Sequence, residues 1–332
     1  IKKLLAIRRG HNAALKYARG YMSSQCICAL INIGFFDKLT KEKKIDLALY
    51  IKENNLDARI FNSICDYLYS INIIEKNKGI CRLTAEGKVL LGLAKGFFDL
   101  IYAYAPLFQE LESIIKKEKK YNKDIFRRGE FVARGSAGLT KFIPFPVTKN
   151  IIKKYGFKRV CDLGCGSAEF LISLCDDKKI RCYGIDISKD AIDFALLQVK
   201  KANLENRVEL AVSDIFDIDR IAARWQDIEV ITCMFVLHEF LLEEKKKVIN
   251  FLLGLKSIFK NKYIITWELC RQPLETIKKN SSAIAEHHLF HDLSNQGIIT
   301  IEEWAEIFKS AGYAIVEERY FDFAGLAYFV IK

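Results

Sequence analysis

The stretch that most restricts what this chain can fold into is KRVCDLGCGSAEFLISLC, residues 158–175. A short apolar strand runs into DLGCGSA, and an apolar helical period follows. A glycine-rich turn at the carboxyl end of a strand, opening a helix, belongs to a parallel sheet covered by helices. Gly164 and Gly166 let the backbone approach a ligand closely, since no side chain stands in the way. Twenty residues past Gly166, YGIDIS puts Asp186 at the end of a second strand, placed to accept hydrogen bonds from a ribose diol, with Ile187 beside it.

The turn excludes two cofactor classes. A nicotinamide-binding turn calls for Gly or Ala at position 169, and the chain has Glu169; a nucleoside triphosphate site calls for a Lys-Ser/Thr pair that is missing. The strands then continue in order. RVELAVSDIF places Asp214 and Ile215 after a third strand, where an acid can take an adenine amino group. VITCMFVLHEF reads as a fourth strand, through Met234 and ending at His238, and KYIITWEL as a fifth ending near Glu268. Apolar stripes at helical spacing intervene. Thr300 to Glu303 makes a capping box for a helix with Ile301, Trp304, Ala305 and Phe308 on its core face. AIVEERY and LAYFVIK follow with no helix between them, which predicts an antiparallel hairpin at the sheet edge.

With 332 residues the chain exceeds one ordinary core, and we expect a helical, winged-helix region over 1–100, a helical linker over 101–150 and an α/β domain over 151–332. Ile45, Ala48 and Leu49 suggest one helical face, and Ile60, Phe61, Ile64, Cys65 and Leu68 a second. NIIEKNKGICRLTAEGKVLL reads as strand, Lys-Gly turn, strand, and a helix opened at Thr84. Residues 13–36 are apolar and helical, which suits burial against a partner subunit. The segment ARGSAGLTKFIPFP, with its glycines and prolines, reads as a loop that serves as linker and lid.

The net charge of +11 is uneven: Lys and Arg outnumber Asp and Glu by 27 to 14 over residues 1–150, against 25 to 27 over 151–332. A basic N-terminal half suits nucleic acid, but the helix carrying Asp57, Arg59 and Asp66 is mixed in sign and has no arginine cluster, so no nucleic-acid partner is expected. The ten cysteines are scattered, with no CxxC pair, and several lie in apolar runs, which points to a reduced, cytoplasmic protein. No apolar run approaches the length needed to span a bilayer, so no membrane partner is expected. The chain starts on Ile rather than Met, which leaves a leader open.

Together DLGCGSAEF, GIDIS, SDIF and the terminal hairpin resemble the S-adenosylmethionine-dependent methyltransferases. The winged-helix front end narrows the resemblance to the small-molecule O-methyltransferase-like group, and it covers nearly the whole chain. It implies a Rossmann-like domain with a seven-stranded sheet ending in an antiparallel hairpin, preceded by an α-rich domain that forms a homodimer. By that likeness Asp162, Gly164 and Gly166 line the methionine portion of the cofactor, Asp186 the ribose, and Asp214 with Ile215 the adenine. Ala168 stands where the family often has a third glycine.

Three of the five histidines fall in EHHLFHDLSNQG, residues 286–297, and a fourth in FVLHEF. A histidine cluster in a loop is ordinarily surface. In the O-methyltransferases a histidine after the fourth strand is the general base on a substrate hydroxyl, and here His238 and Glu239 match its His-Asp pair, with Glu268 as a flanking acid. A histidine-rich segment before the capping box instead resembles a smaller branch, the C-methyltransferases of 2-oxo acids that feed non-ribosomal peptides. In that branch a divalent metal sits on two histidines, matched by His238 and His291, with His288 as the fallback for the second. Imidazoles with open positions suit iron(II) or zinc, whose Lewis acidity would activate carbon 3 of a 2-oxo acid.

The remaining roles stay open. Glu268 is a base, a buttress or a satisfied loop acid, and Asp292 a cap or a supporting partner. Gln296 holds substrate or closes a turn. Arg134 is a candidate clamp for a substrate carboxylate, with Arg127 and Arg128 as rivals. His287 is expected to face solvent. The readings in order are metal-assisted C-methylation, O-methylation with His238 as base, and a winged-helix regulator that senses S-adenosylmethionine.

Overall fold

A computed structural model describes residues 2–241, 245–279 and 282–332, with side chains from residue 7 onward. The chain divides into two compact units. One comprises Ile1–Ala105 with Arg134–Leu139, the other Pro106–Ala133 with Thr140–Lys332.

In the first unit the helices Lys2–Asn32 and Phe35–Glu42 lead into strand β1 (Ile45–Asp46), the helices Leu47–Glu53 and Ala58–Ser70, strands β2 (Ile74–Asn77) and β3 (Ile80–Leu83), and the helix Ala85–Leu93. The three strands form an antiparallel sheet in the order β1-β3-β2. Local chemistry sets each start. Asp46, Asp57 and Thr84 accept from the backbone N–H groups of Leu49, Ile60 and Gly87 at 3.0, 2.9 and 2.9 Å. Lys78 and Gly79 both take positive φ, 48° and 81°, as a tight hairpin turn requires. The expected helical faces are partly wrong. Ile45 pairs with Cys81 in the sheet and Leu49 is exposed, because the Asp46 cap starts the first helix later and buries Leu47 and Tyr50. Ile60 is likewise exposed, while Phe61, Cys65 and Leu68 are buried.

The expected loop at ARGSAGLT is a helix, Gly129–Thr140. Its glycines are points of backbone contact. A Cβ on Gly135 would lie 2.7 Å from Leu100 Cγ and 2.8 Å from the Gly96 carbonyl oxygen, and one on Gly138 would lie 2.9 Å from Gly96 Cα. Glycine therefore lets this helix touch the backbone at Gly96, and sequence alone cannot separate that use from a flexible turn. IPFP also opens a helix, Pro144–Tyr155, with proline in its first turn.

The second unit is built on strands β4 (Arg159–Leu163), β5 (Arg181–Asp186), β6 (Val208–Val212), β7 (Val230–Met234), β8 (Tyr263–Leu269), β9 (Ile315–Phe321) and β10 (Leu326–Ile331). Their order is β6-β5-β4-β7-β8-β10-β9; β4 to β8 are parallel, and β10 is antiparallel to both its neighbours. Each face carries its own core. Cys161, Ile231 and Ile264 pack with Leu252, Trp304 and Phe308 on one side; Val160, Ile265 and Trp267 pack with Ile152, Leu171 and Ala195 on the other. Buried on both faces, the central strands read as near-continuous apolar runs. The capping box forms as expected, Thr300 and Glu303 each accepting from the other's backbone N–H.

Among the described residues no single helix is long and apolar enough to cross a membrane; Ala85–Leu93 and Lys95–Gln109, bent by 65°, reach that length and composition only as a pair. All ten cysteines are free thiols.

Candidate active site

The carboxyl ends of β4, β5 and β7 gather the first half of the site, the usual ligand crevice of such a sheet. After β4 the turn crosses toward β5, with the N–H groups of Gly164 and Cys165 donating to the Ile185 carbonyl at 2.9 and 2.8 Å. Asp186 then fastens the turn: one carboxylate oxygen accepts from Gly166 N–H and the other from Ser188 N–H, each at 2.9 Å. Gly164 (φ 78°) is required twice over, because a Cβ there would also lie 2.7 Å from Val236 Cγ2. Gly166 (φ 51°) differs, for a Cβ there would meet nothing within 4 Å. That open space above a glycine turn, flanked by an acid, fits a nucleoside-bearing ligand on the backbone. Ala168 takes φ 58°, which explains why glycine is customary at its position.

Asp162 is buried at the end of β4 and accepts a hydrogen bond from the Thr232 hydroxyl at 2.6 Å. Burial pushes its carboxyl up to about 7, with the Thr232 bond opposing and the charge of Asp186 adding to the rise. An ammonium or sulfonium group is the counterpart such an acid calls for. Asp214 accepts from Phe216 N–H at 3.0 Å, Ile215 is buried, and Ile187 is exposed at the rim. Met234 ends β7, half-buried.

The second half of the site follows β7. The strand stops at Met234 rather than continuing to His238. Phe235 takes φ 60° while its N–H donates to the Trp267 carbonyl at 2.8 Å, and the chain then winds into a 3-10 turn, Leu237–Phe240, that carries His238 and Glu239. Glu268, wholly buried on β8, accepts from Leu237 N–H at 3.0 Å through Oε1 and contacts His238 Nδ1 at 2.7 Å through Oε2. Glu268 thus ties both the 3-10 turn and the His238 ring to β8. Burial by itself would lower the His238 pKa, but the charge and hydrogen bond of Glu268, helped by Glu239, carry the net shift upward.

EHHLFHDL is not a loop but the helix Ile284–Leu293. Helical spacing places His291 one turn after His287, and His291 Nδ1 meets the His287 carbonyl at 2.6 Å. The His291 ring then faces His238 edge to face, centroids 5.0 Å apart. Burial holds His291 well below the usual imidazole range, the charge of His238 adding to the effect. His287, expected in solvent, is half-buried, and burial pushes it down to about 4. His288 is buried too, its Nε2 without a hydrogen-bond partner. Asp292 pairs with Arg271 at 2.6 Å.

The turn after this helix locks the two histidines together. Gln296 N–H donates to the His291 carbonyl at 2.9 Å and Gly297 N–H to the His238 carbonyl at 3.1 Å. The Gln296 side chain hydrogen-bonds Glu239. Arg127 also grips Glu239, its Nη2 donating to the two carboxylate oxygens at 2.8 and 3.0 Å. Of the three arginines considered, Arg127 stands beside His238, whereas Arg134 pairs with Asp99 in the first unit at 3.0 Å. Sequence reasoning placed Gly297 with Asn295 in a turn closed by Gln296, which the structure shows, but missed Ser294, which gives no signal before the turn is folded.

With Nδ1 engaged on both rings, each neutral imidazole keeps its Nε2 lone pair for another partner. A carboxylate behind one and a carbonyl behind the other are the supports that metal-ligating histidines ordinarily have, so the pair fits a divalent cation. Among the described residues no group of three or more His, Cys, Asp and Glu could hold a metal ion, so any cation here would take its remaining ligands from substrate and water.

This fold and cofactor crevice are those of an S-adenosylmethionine-dependent methyltransferase, and the fold is similar over nearly the whole chain to that of small-molecule methyltransferases with an N-terminal domain. Residues 157–312 match the family model described as "Methyltransferase domain". The 2-ketoarginine methyltransferase of Streptomyces arginensis is 22% identical over 316 residues, 93% of this chain and 90% of the relative. Among solved structures, human N-acetylserotonin methyltransferase aligns with a TM-score of 0.71 at 15% identity, over 97% of each chain. The mitomycin 7-O-methyltransferase aligns with 0.68 at 12% identity, over 99% of each.

Proposed function

We propose that the protein methylates carbon 3 of a 2-oxo acid, with a divalent cation held by His238 and His291. The observation that carries this reading is the facing pair of imidazoles, each tied at Nδ1 by a fixed acceptor. Similarity over nearly the full chain to a protein named for a 2-keto acid supports it. S-adenosylmethionine would bring the methyl group on a sulfonium and leave as S-adenosylhomocysteine when the carbon–sulfur bond breaks, and iron(II) or zinc would polarise the 2-oxo group and so ease loss of the carbon-3 proton to solvent. The residues themselves position. Glu268 and the His287 carbonyl engage Nδ1 of the two facing rings and leave each Nε2 for a cation, and Arg127, held beside them on Glu239, would supply the guanidinium for a substrate carboxylate. Asp162, Gly164, Gly166, Asp186, Ile187, Asp214, Ile215 and Met234 surround the cofactor. Much of the acceleration in a methyl transfer comes from such alignment.

O-methylation with His238 as general base is the second reading, favoured by the His238–Glu268 contact and the upward shift of His238. A homodimer through the first unit is the expected assembly, since Tyr17, Tyr21 and Met22 of its first helix stand exposed. The test is turnover of S-adenosylmethionine against 2-oxo acids and hydroxylated aromatics, on protein purified without a histidine tag, with and without chelator. A carbon-methylated product that disappears with chelator and returns with ferrous or zinc salts supports the proposal. Chelator-resistant turnover of a hydroxylated acceptor would transfer the assignment to the base.

A further inference from the structure

We infer that Thr232 is a positioning residue for the cofactor: its hydroxyl holds one oxygen of the Asp162 carboxylate, so that a negative charge stands ready at the end of β4 for the cationic methionine portion of S-adenosylmethionine. The inference rests on the reading that Asp162 meets that portion.

Asp162 and Thr232 stand opposite each other in the parallel pairing of β4 with β7, and Gly184 stands opposite Asp162 on β5. Residues paired in register share a face of the sheet, so the carboxylate has a bare glycine on one side and a hydroxyl on the other. Both side chains are buried, Asp162 at 3% exposure and Thr232 at 0%. The hydroxyl has one proton and two acceptors within reach, Asp162 Oδ1 at 2.6 Å and the Cys161 carbonyl at 3.5 Å. The shorter contact, to a charged oxygen, takes it. Burial alone does not produce such a bond in this sheet: Thr266 on β8 is also wholly buried, and its hydroxyl finds no partner among the described residues. No other hydrogen bond reaches the carboxylate among the described residues, so Oδ1 is fixed to β7 and Oδ2 is left for a ligand. The remaining neighbours give no help. Asp186 adds a like charge. Cys161 on β4, Cys165 in the turn and Cys233 on β7 are thiols held neutral chiefly by burial, and Cys182 on β5 is held so by its contact with Cys175 and by burial. The Thr232 hydroxyl alone favours the charged form of Asp162, against burial and Asp186.

The experiment is a pair of titrations on the whole chain. One is 13C-carboxyl NMR without cofactor, the Asp162 signal being assigned by its absence in Asp162→Asn; the other is calorimetry with S-adenosylmethionine from about pH 6 to pH 9. Thr232→Val keeps the shape and removes the proton, so the Asp162 midpoint rises from about 7 by about one unit. Affinity for S-adenosylmethionine then falls about tenfold below wild type at pH 6, and the gap closes toward pH 9. Thr232→Ser keeps the hydroxyl and restores both values. Thr232→Ala also lacks the hydroxyl, makes no demand on packing, and repeats the shift. An unmoved midpoint in the two hydroxyl-free variants would overturn the inference. So would an affinity gap of the same size at every pH, the result expected of a purely structural threonine. The underlying reading fails in a different way: Asp162→Asn would bind S-adenosylmethionine as tightly as wild type at pH 8 while the midpoint still moved in Thr232→Val. That result would take Asp162 away from the cofactor and, with it, the role assigned to Thr232.

Discussion

Glu268 Oε2 lies 2.7 Å from His238 Nδ1, with the two residues at 0% and 3% exposure. A carboxylate buried this completely against one imidazole nitrogen keeps the proton on that nitrogen and leaves the lone pair of a neutral ring on the other. Everything proposed for His238, as ligand or as base, depends on that contact.

Glu268→Gln keeps the shape and removes the charge. Burial already pulls His238 down and Glu268 is the main force raising it, so the His238 midpoint should fall and the acid limb of kcat/KM should move to lower pH. Loss of such a support should cost about 10–100-fold in activity or metal affinity. A raised imidazole pKa stabilises the fold below the ordinary value of about 6.5 and ceases to do so as pH rises through the folded value. The melting-temperature gap between wild type and variant should therefore narrow toward alkaline pH, and a gap that widens would mean that folding does not raise the His238 pKa.

His291→Ala should abolish chelator-sensitive methyl transfer and lower metal content while leaving S-adenosylmethionine affinity nearly unchanged. His238→Ala is damaging under either chemistry, so His291 and the chelator form the deciding pair. Metal analysis and cofactor calorimetry on the same preparation provide the check.

Asp162 makes cofactor affinity depend on pH. Without ligand its carboxyl is held up to about 7, chiefly by burial, so below that pH it carries a proton that a cationic cofactor must displace. Affinity for S-adenosylmethionine should rise toward pH 7, by at most about tenfold per unit, and level off above it. Calorimetry in buffers of different ionisation enthalpy should register proton release on binding below pH 7 and none well above it. The same raised pKa means that this group favours the ligand-free fold in acid, an advantage lost as pH climbs from the ordinary carboxylate range to about 7.

Two glycines should fail in different ways. A Cβ on Gly297 would stand 2.3 Å from Leu241 Cβ, so Gly297→Ala must push the turn off the His238 segment, costing about 1–3 kcal/mol. The melting temperature should fall by roughly 2–4 °C per kcal/mol, and turnover should drop with cofactor binding intact. Gly166→Ala has open space around it but a φ of 51°, so it should cost only about 1–2 kcal/mol of backbone strain while obstructing the cofactor. Thermal melts and cofactor titrations on both variants separate the two cases.

The sequence by itself determined the glycine turn and the acid that fastens it. Gly164, Gly166 and Asp186 lie within 23 residues, and strand, turn and strand in succession bring them together, whereas a place for Asp162 came only from the family resemblance. The individual strands and the terminal hairpin follow for the same reason, since each element announces itself locally, while their order in the sheet does not. Glycine was the exception: Gly135 and Gly138 read as a loop because their packing partner, Gly96, lies some forty residues earlier. Only the tertiary structure decided the acceptor half. Arg127, His238, Glu268 and His291 come from four separate segments, and nothing in any one of them says that a buried glutamate will orient one histidine or that a helix will bring the other to 5.0 Å. Histidine titrates where its neighbours put it. His287, His288 and His291 look alike in the sequence, and each takes its character from the wall its own face of the helix meets.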